Sequence, residues 1–250
     1  MDPDPALPAP APLGGFFLLR APGRPPRPQP TLAQAYTRPQ GSDTSDVYRD
    51  PLGFRLRKVA GSLRAPEPRI AASVAQQGLA ARLWSLALGP AVLHGRVPDL
   101  DPRLLLWDPD ATAPDDLWPA EPPALADGGA AAVARSVLDR HLVPLEAALR
   151  ARRRIAAGLL RGNAASALAG AARQLDGWAR RTGRPDVAGR ARDLTARLLA
   201  HPYLAGTGTL AGTAFRRRSC CLYYRVPDGG VCGDCCFAHP PRSSPRGTSG

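Results

Sequence analysis

The chain has 250 residues, 33 Lys+Arg against 21 Asp+Glu, a formal charge of +12 and 29 prolines. That length and an apolar fraction of 44% allow one good-sized core, with tails. Lys58 is the only lysine, so part of the Arg excess reflects a GC-rich coding bias and weakens a nucleic-acid reading; the charge still favours acidic partners. The start, MDPDPALPAP, lacks the basic region of a signal peptide, and LWSLALGPAVL is about half the ~20 residues needed to cross a bilayer. A cytoplasmic location is therefore expected, where thiols stay reduced and an odd cysteine count argues against a disulfide framework.

In chain order, residues 1–50 read as a Pro-rich, largely disordered tail, with a helix start at Thr31. LGFRLRKVAGSL alternates in part at Phe54, Leu56 and Val59, which predicts a weak strand. From Ile70 to Leu86 the apolar residues follow a helical stripe that Gly89-Pro90 is expected to break. RLLLW at 103–107 predicts a strand, and residues 108–123 a loop. Leu138, Leu142, Leu145 and Leu149 form a helical stripe, with a kink or a new helix at Pro144. Leu168, Leu175 and Trp178 form another, ended by Gly183 and Pro185; Asn163 before it reads as a turn or, alternatively, as an amide shaping a site. Val187, Ala191, Leu194 and Leu198 give a last helix, with Asp186 as its cap. His141 reads as surface or half-buried packing. CLYYRV, PDGG and VCGDCC read as strand, turn and strand, and residues 238–250 as a disordered tail. The fold class expected is α+β and predominantly α-helical: a helical body over 51–215 with a few short strands, then a cluster-binding β-hairpin over 216–237.

All five cysteines fall between Cys220 and Cys236. Cys220 and Cys221 are adjacent; ten residues separate Cys221 from Cys232, and two separate Cys232 from Cys235. A turn at VPDGG brings the two halves together, and converging thiolates repel unless a cation neutralises them. Tetrahedral sulfur suits zinc or iron–sulfur. Structural zinc pairs two Cys-x(2–4)-Cys knuckles, whereas here one half is an adjacent pair. Zinc, a [2Fe–2S] cluster and a redox dithiol all remain open on spacing alone. No Cys-x-His pair, P-loop, dinucleotide fingerprint or hydrolase triad is visible, so electrons would come from another protein.

RRRSCCLYYRVPDGGVCGDCC closely resembles the C-terminal signature of the FhuF-type ferric-siderophore reductases, Cys-Cys-x10-Cys-x2-Cys. A weaker likeness in RIAASVAQQGLAARLWSLAL and LLRGNAASALAGAARQL extends it over roughly residues 67–237, excluding the first 50 residues. The resemblance implies a [2Fe–2S] cluster held by Cys220, Cys221, Cys232 and Cys235, with Cys236 where many relatives carry an aliphatic residue. It implies one-electron reduction of ferric iron in a hydroxamate-type siderophore. Arg216, Arg217, Arg218 and Arg225 would then raise the cluster potential and dock an acidic donor such as a ferredoxin. Two other readings stand beside it: a zinc-stabilised basic protein that binds nucleic acid, and a siderophore-handling protein without redox turnover.

Overall fold

A computed structural model describes residues 13–23, 25, 27–37 and 48–241. The body is helical: α1 (Leu32–Tyr36), α2 (Pro51–Leu63), α3 (Pro68–His94), α4 (Ala130–Ala134), α5 (Val143–Arg152), α6 (Ala157–Arg181) and α7 (Pro185–Leu199). Three two-stranded antiparallel ribbons complete it: β1 (Arg96–Pro98) with β4 (Leu125–Asp127), β2 (Leu105–Trp107) with β3 (Leu117–Pro119), and β5 (Gly208–Ala211) with β6 (Ala214–Arg217). This is the α+β, predominantly helical class expected. No helix of the described residues is long and apolar enough to cross a membrane.

The axis of the molecule is α3, which is buried nearly all round from Leu79 to Val92, as a helix without a polar face must be. It packs mainly on α6, α2 and β1. The α6 face toward it is built from Ala164, Ala165, Ala167, Leu168 and Ala171, small enough to bring the helices close. There the Trp84 indole Nε1–H donates to the carbonyl of Ala164 at 3.0 Å.

Several local expectations change. The segment expected to be a weak strand is α2. Asp50 caps it by accepting from the Gly53 N–H, Pro51 opens it, and Leu52 and Leu56 share its buried face. Gly89-Pro90 does not end α3, which runs on to His94. The helix loses one backbone bond at Pro90, but burial on all sides holds it, and bare Gly89 lets the Phe17 ring close on it. The Pro144 kink takes the form of a widened, π-type stretch over Arg135–Leu142 that leads into α5. Asn163 lies inside α6, not in a turn, and Arg184 rather than Asp186 occupies the N-cap of α7. The loop expected at 108–123 contains β3.

Part of the stretch expected as an N-terminal tail joins the core: Leu13, Phe17, Leu32 and Ala35 are buried in it. Thr31 opens α1 with a reciprocal capping box to Gln34. Buried Arg82 fastens this stretch by donating to the carbonyls of Phe16 and Leu18, while its Nε pairs with Asp116 at 2.8 Å.

His141 is fully buried, not a surface residue. The Tyr36 hydroxyl donates to its Nδ1 at 2.8 Å, and its Nε2–H donates to the Leu100 carbonyl at 2.5 Å. Burial, first, pushes its pKa down to about 4. The ring is thus neutral in the fold, while below about pH 6.5 the unfolded chain takes up the proton. The stability this residue permits is complete above about pH 6.5 and falls as pH drops toward 4. Between pH 7 and pH 4 the protein should lose ~3 kcal/mol more than a His141→Gln variant, as urea melts at the two pH values would read.

Candidate metal centre

The cysteines do not sit on a hairpin. The hairpin of this region is β5–β6, and residues 219–237 that follow it form an irregular loop with one short 3-10 turn, Tyr223–Arg225. Leu222 and Asp228 take left-handed backbone angles, at φ 69° and 61°. A Cβ on Gly229 would stand 2.4 Å from the Tyr223 carbonyl oxygen, so only glycine closes this turn. A strand running through both would point Cys220 and Cys221 to opposite faces; in the loop Cys221 lies by Cys232, and Cys220 by Cys235 and Cys236.

Two helices hold the loop. On α3, the Ser73 hydroxyl donates to the Cys221 carbonyl at 2.7 Å. On α6, Asn163 Nδ2 donates to the Ser73 carbonyl and hydroxyl at 2.9 and 3.0 Å, and its Oδ1 accepts from Arg217 at 2.5 Å. The far side of the loop is pinned through Asp234, inside the Cys-x-x-Cys turn. Its carboxylate pairs with Arg173 at 2.9 Å and accepts from the Ser166 hydroxyl at 2.6 Å. Its carbonyl accepts from the Arg217 N–H at 3.0 Å, which closes the loop at its neck. Gly162 makes room for that neck, since a Cβ there would lie 2.3 Å from Ser219 Oγ.

All five cysteines are free thiols, with Cys221 buried and the others half-buried. Cys221 and Cys232 form one pair, their thiols hydrogen-bonded to each other. Sharing that proton lowers the Cys221 pKa to about 7, and the same bond together with burial raises Cys232. Cys220 faces Cys235 and Cys236; burial first, then their mutual repulsion, raises its pKa. Burial followed by repulsion from Cys235 likewise raises Cys236. Among the described residues, no three His, Cys, Asp or Glu side chains are gathered as a single-ion site.

Four of the five sulfurs meet a backbone N–H two residues on. Leu222 N–H donates to Cys220 Sγ at 3.2 Å and Phe237 N–H to Cys235 Sγ at 3.4 Å. The N–H groups of Tyr223 and Asp234 lie against Cys221 and Cys232, each favouring the thiolate. Cys236 has only its own N–H. Such donors stabilise sulfur anions, and the crowding of raised-pKa thiols requires a cation before several can ionise together. The loop therefore fits an anionic, thiolate-held metal group.

Residues 217–237 match the family model described as the FhuF 2Fe-2S C-terminal domain. The cysteine loop is thus similar to the FhuF 2Fe-2S C-terminal domain. It carries a [2Fe–2S] cluster, which decides between the metals that spacing had left open. No curated protein matches the chain. Around the FhuF 2Fe-2S C-terminal domain the four arginines separate by setting. Arg217 is 2% exposed, Arg216 and Arg218 face solvent, and exposed Arg225 pairs with Glu67 at 2.7 Å. An open cleft of about 270 Å3 lies beside Cys232 and Gly233, bounded by Phe16, Gln77, Ser85 and Gln174. Sequence reasoning missed Asp234, Ser73 and Ser166. An acid set between two cysteines of a Cys-x-x-Cys turn was the available signal for the first; the two serines gave none.

Proposed function

We propose that this protein reduces ferric iron bound to a hydroxamate-type siderophore by one electron, releasing Fe(II). The observation that carries the reading is the set of N–H donors two residues beyond Cys220, Cys221, Cys232 and Cys235, inside the matched domain. These four cysteines are assigned as the ligands, leaving Cys236 outside the set. When bound, the [2Fe–2S] cluster supplies a carrier that accepts and gives electrons singly.

The chain's own residues do the rest. Ser73, Asn163 and Asp234 fix the loop against α3 and α6, so the thiolates are ordered before any substrate arrives. The cleft beside Cys232 offers amides from Gln77 and Gln174, the hydroxyl of Ser85 and the ring of Phe16. These donors, with Arg173 also on the lining, suit the oxygen-rich edge of a hydroxamate chelate. Hard oxygen ligands hold Fe(III) tightly and Fe(II) poorly, so one added electron frees the iron and spares the chelator.

Tyr223, Val231 and Phe237 of the loop are exposed, Arg216 and Arg218 face solvent at its neck, and Arg216 donates to the Cys236 carbonyl next to Phe237. An apolar patch ringed by cations suits an acidic electron-donor protein such as a ferredoxin. The test is direct. Anaerobically purified, pre-reduced protein mixed with a ferric hydroxamate should deliver one Fe(II) per oxidised cluster to a ferrous-selective trap. With an acidic iron–sulfur protein as reductant, the rate should fall as salt rises. A reduced cluster that leaves the ferric chelate untouched over hours defeats the proposal.

A further inference from the structure

Arg217 ends β6 at the neck of the cysteine loop and is 2% exposed. Its guanidinium bonds only to neutral acceptors: Asn163 Oδ1 at 2.5 Å, the Leu159 carbonyl at 3.4 Å and Gln77 Oε1 at 3.5 Å. Its Nε is buried with no partner at all. The other buried arginine among the described residues is provided for differently: Arg82 pairs with Asp116 at 2.8 Å. Half-buried Arg152 likewise has an acid, Asp50, at 3.1 Å. Asp234, whose carbonyl accepts from the Arg217 N–H, has its carboxylate already engaged by Arg173 and Ser166. A buried cation without an acidic partner is costly unless another anion faces it. What stands at the neck is the cysteine loop: the Arg217 N–H bonds the Asp234 carbonyl inside the Cys-x-x-Cys turn, its partner Asn163 donates to Ser73, whose hydroxyl holds the Cys221 carbonyl, and its partner Gln77 lines the same cleft as Cys232.

We propose that Arg217 is the built-in counter-cation of the [2Fe–2S] group, a positioning residue that selectively stabilises its reduced, more negative state. This rests on the cluster assignment alone and holds whatever the final electron acceptor is. Four thiolates give the cluster a net negative charge that grows by one on reduction. A fixed cation in a dry setting therefore favours reduction, and bulk salt screens it little. Arg216 and Arg218 carry the same charge in solvent, where screening removes most of their effect. The four arginines grouped by sequence thus divide into one that tunes and others that face partners.

The test is an anaerobic redox titration of the holoprotein followed by electron paramagnetic resonance. In Arg217→Gln the reduced-to-oxidised ratio at a given ambient potential should fall about tenfold or more, a shift of ~59 mV for a one-electron couple. Arg217→Lys should restore most of it, since a purely structural role would not follow the charge. Asn163→Asp leaves Arg217 in place and gives it an acidic partner, so it too should lower the ratio about tenfold. It decides the matter should Arg217→Gln fail to hold a cluster. Arg216→Gln should shift the ratio less than threefold, and less still in high salt. A wild-type ratio in Asn163→Asp, or a shift in Arg216→Gln as large as that in Arg217→Gln, overturns the proposal. Neither result depends on whether a siderophore is reduced.

Discussion

Replacing Cys232 with Ser should yield a folded protein that is colourless, with iron and acid-labile sulfide both near zero after anaerobic purification. The Cys232 thiol lies against that of Cys221, receives the Asp234 N–H and borders the cleft, so its loss removes a thiolate at the heart of the loop. Serine is a harder, less acidic ligand and does not replace a soft thiolate on iron. Cys220→Ser, Cys221→Ser and Cys235→Ser should behave alike. Cys236→Ser should instead keep the red-brown colour and equal iron and sulfide, because that sulfur lacks the donor two residues on. The decisive comparison is between neighbours: a clustered Cys235→Ser protein beside an empty Cys236→Ser protein would reverse the ligand assignment.

Asp234→Ala should be the most damaging change that touches no sulfur. It leaves the Arg173 guanidinium and the buried Ser166 hydroxyl without their anion and frees the far side of the loop. Arg173 is about one-third exposed, so water recovers part of the loss, and the expected cost is ~2 kcal/mol rather than the larger figure for a fully buried pair. That lowers the melting temperature of the holoprotein by ~4–8 °C. Release of iron to a strong chelator should accelerate at least tenfold, because the loop opens at its anchor. Asp234→Asn keeps a hydrogen bond to Ser166 and should lie between the two. A variant that melts with the parent and gives up iron at the parental rate would show that the neck bond between Arg217 and Asp234 suffices alone.

The parts legible in the sequence are those where one local rule acts alone. Thr31 announced a helix start, and the apolar stripes at 138–149 and 187–198 announced helices. The cysteine spacing announced the metal site. Where two signals competed, the weaker-looking one won. The partial alternation at Phe54 and Leu56 suggested a strand, but Asp50-Pro51 is a helix-opening pair and Leu52 and Leu56 are one turn apart. Gly89-Pro90 is a breaker by propensity, overridden because the whole turn is buried. The β-forming residues of CLYYRV yielded to a turn that begins at the left-handed Leu222 and closes at Gly229. Asn163 is the clearest case. Its cost inside a helix is offset by bonds to Ser73 and Arg217, neighbours 90 and 54 positions away that no local window contains.

The main apolar core contains no cysteine; Cys221, buried as it is, lies outside it. The helical body therefore draws none of its apolar cohesion from the sulfurs, and the loop is joined to it by polar contacts through Ser73, Ser166 and Arg173. Stripping the iron with a chelator should therefore loosen residues 219–237 first, with the far-ultraviolet helical signal kept.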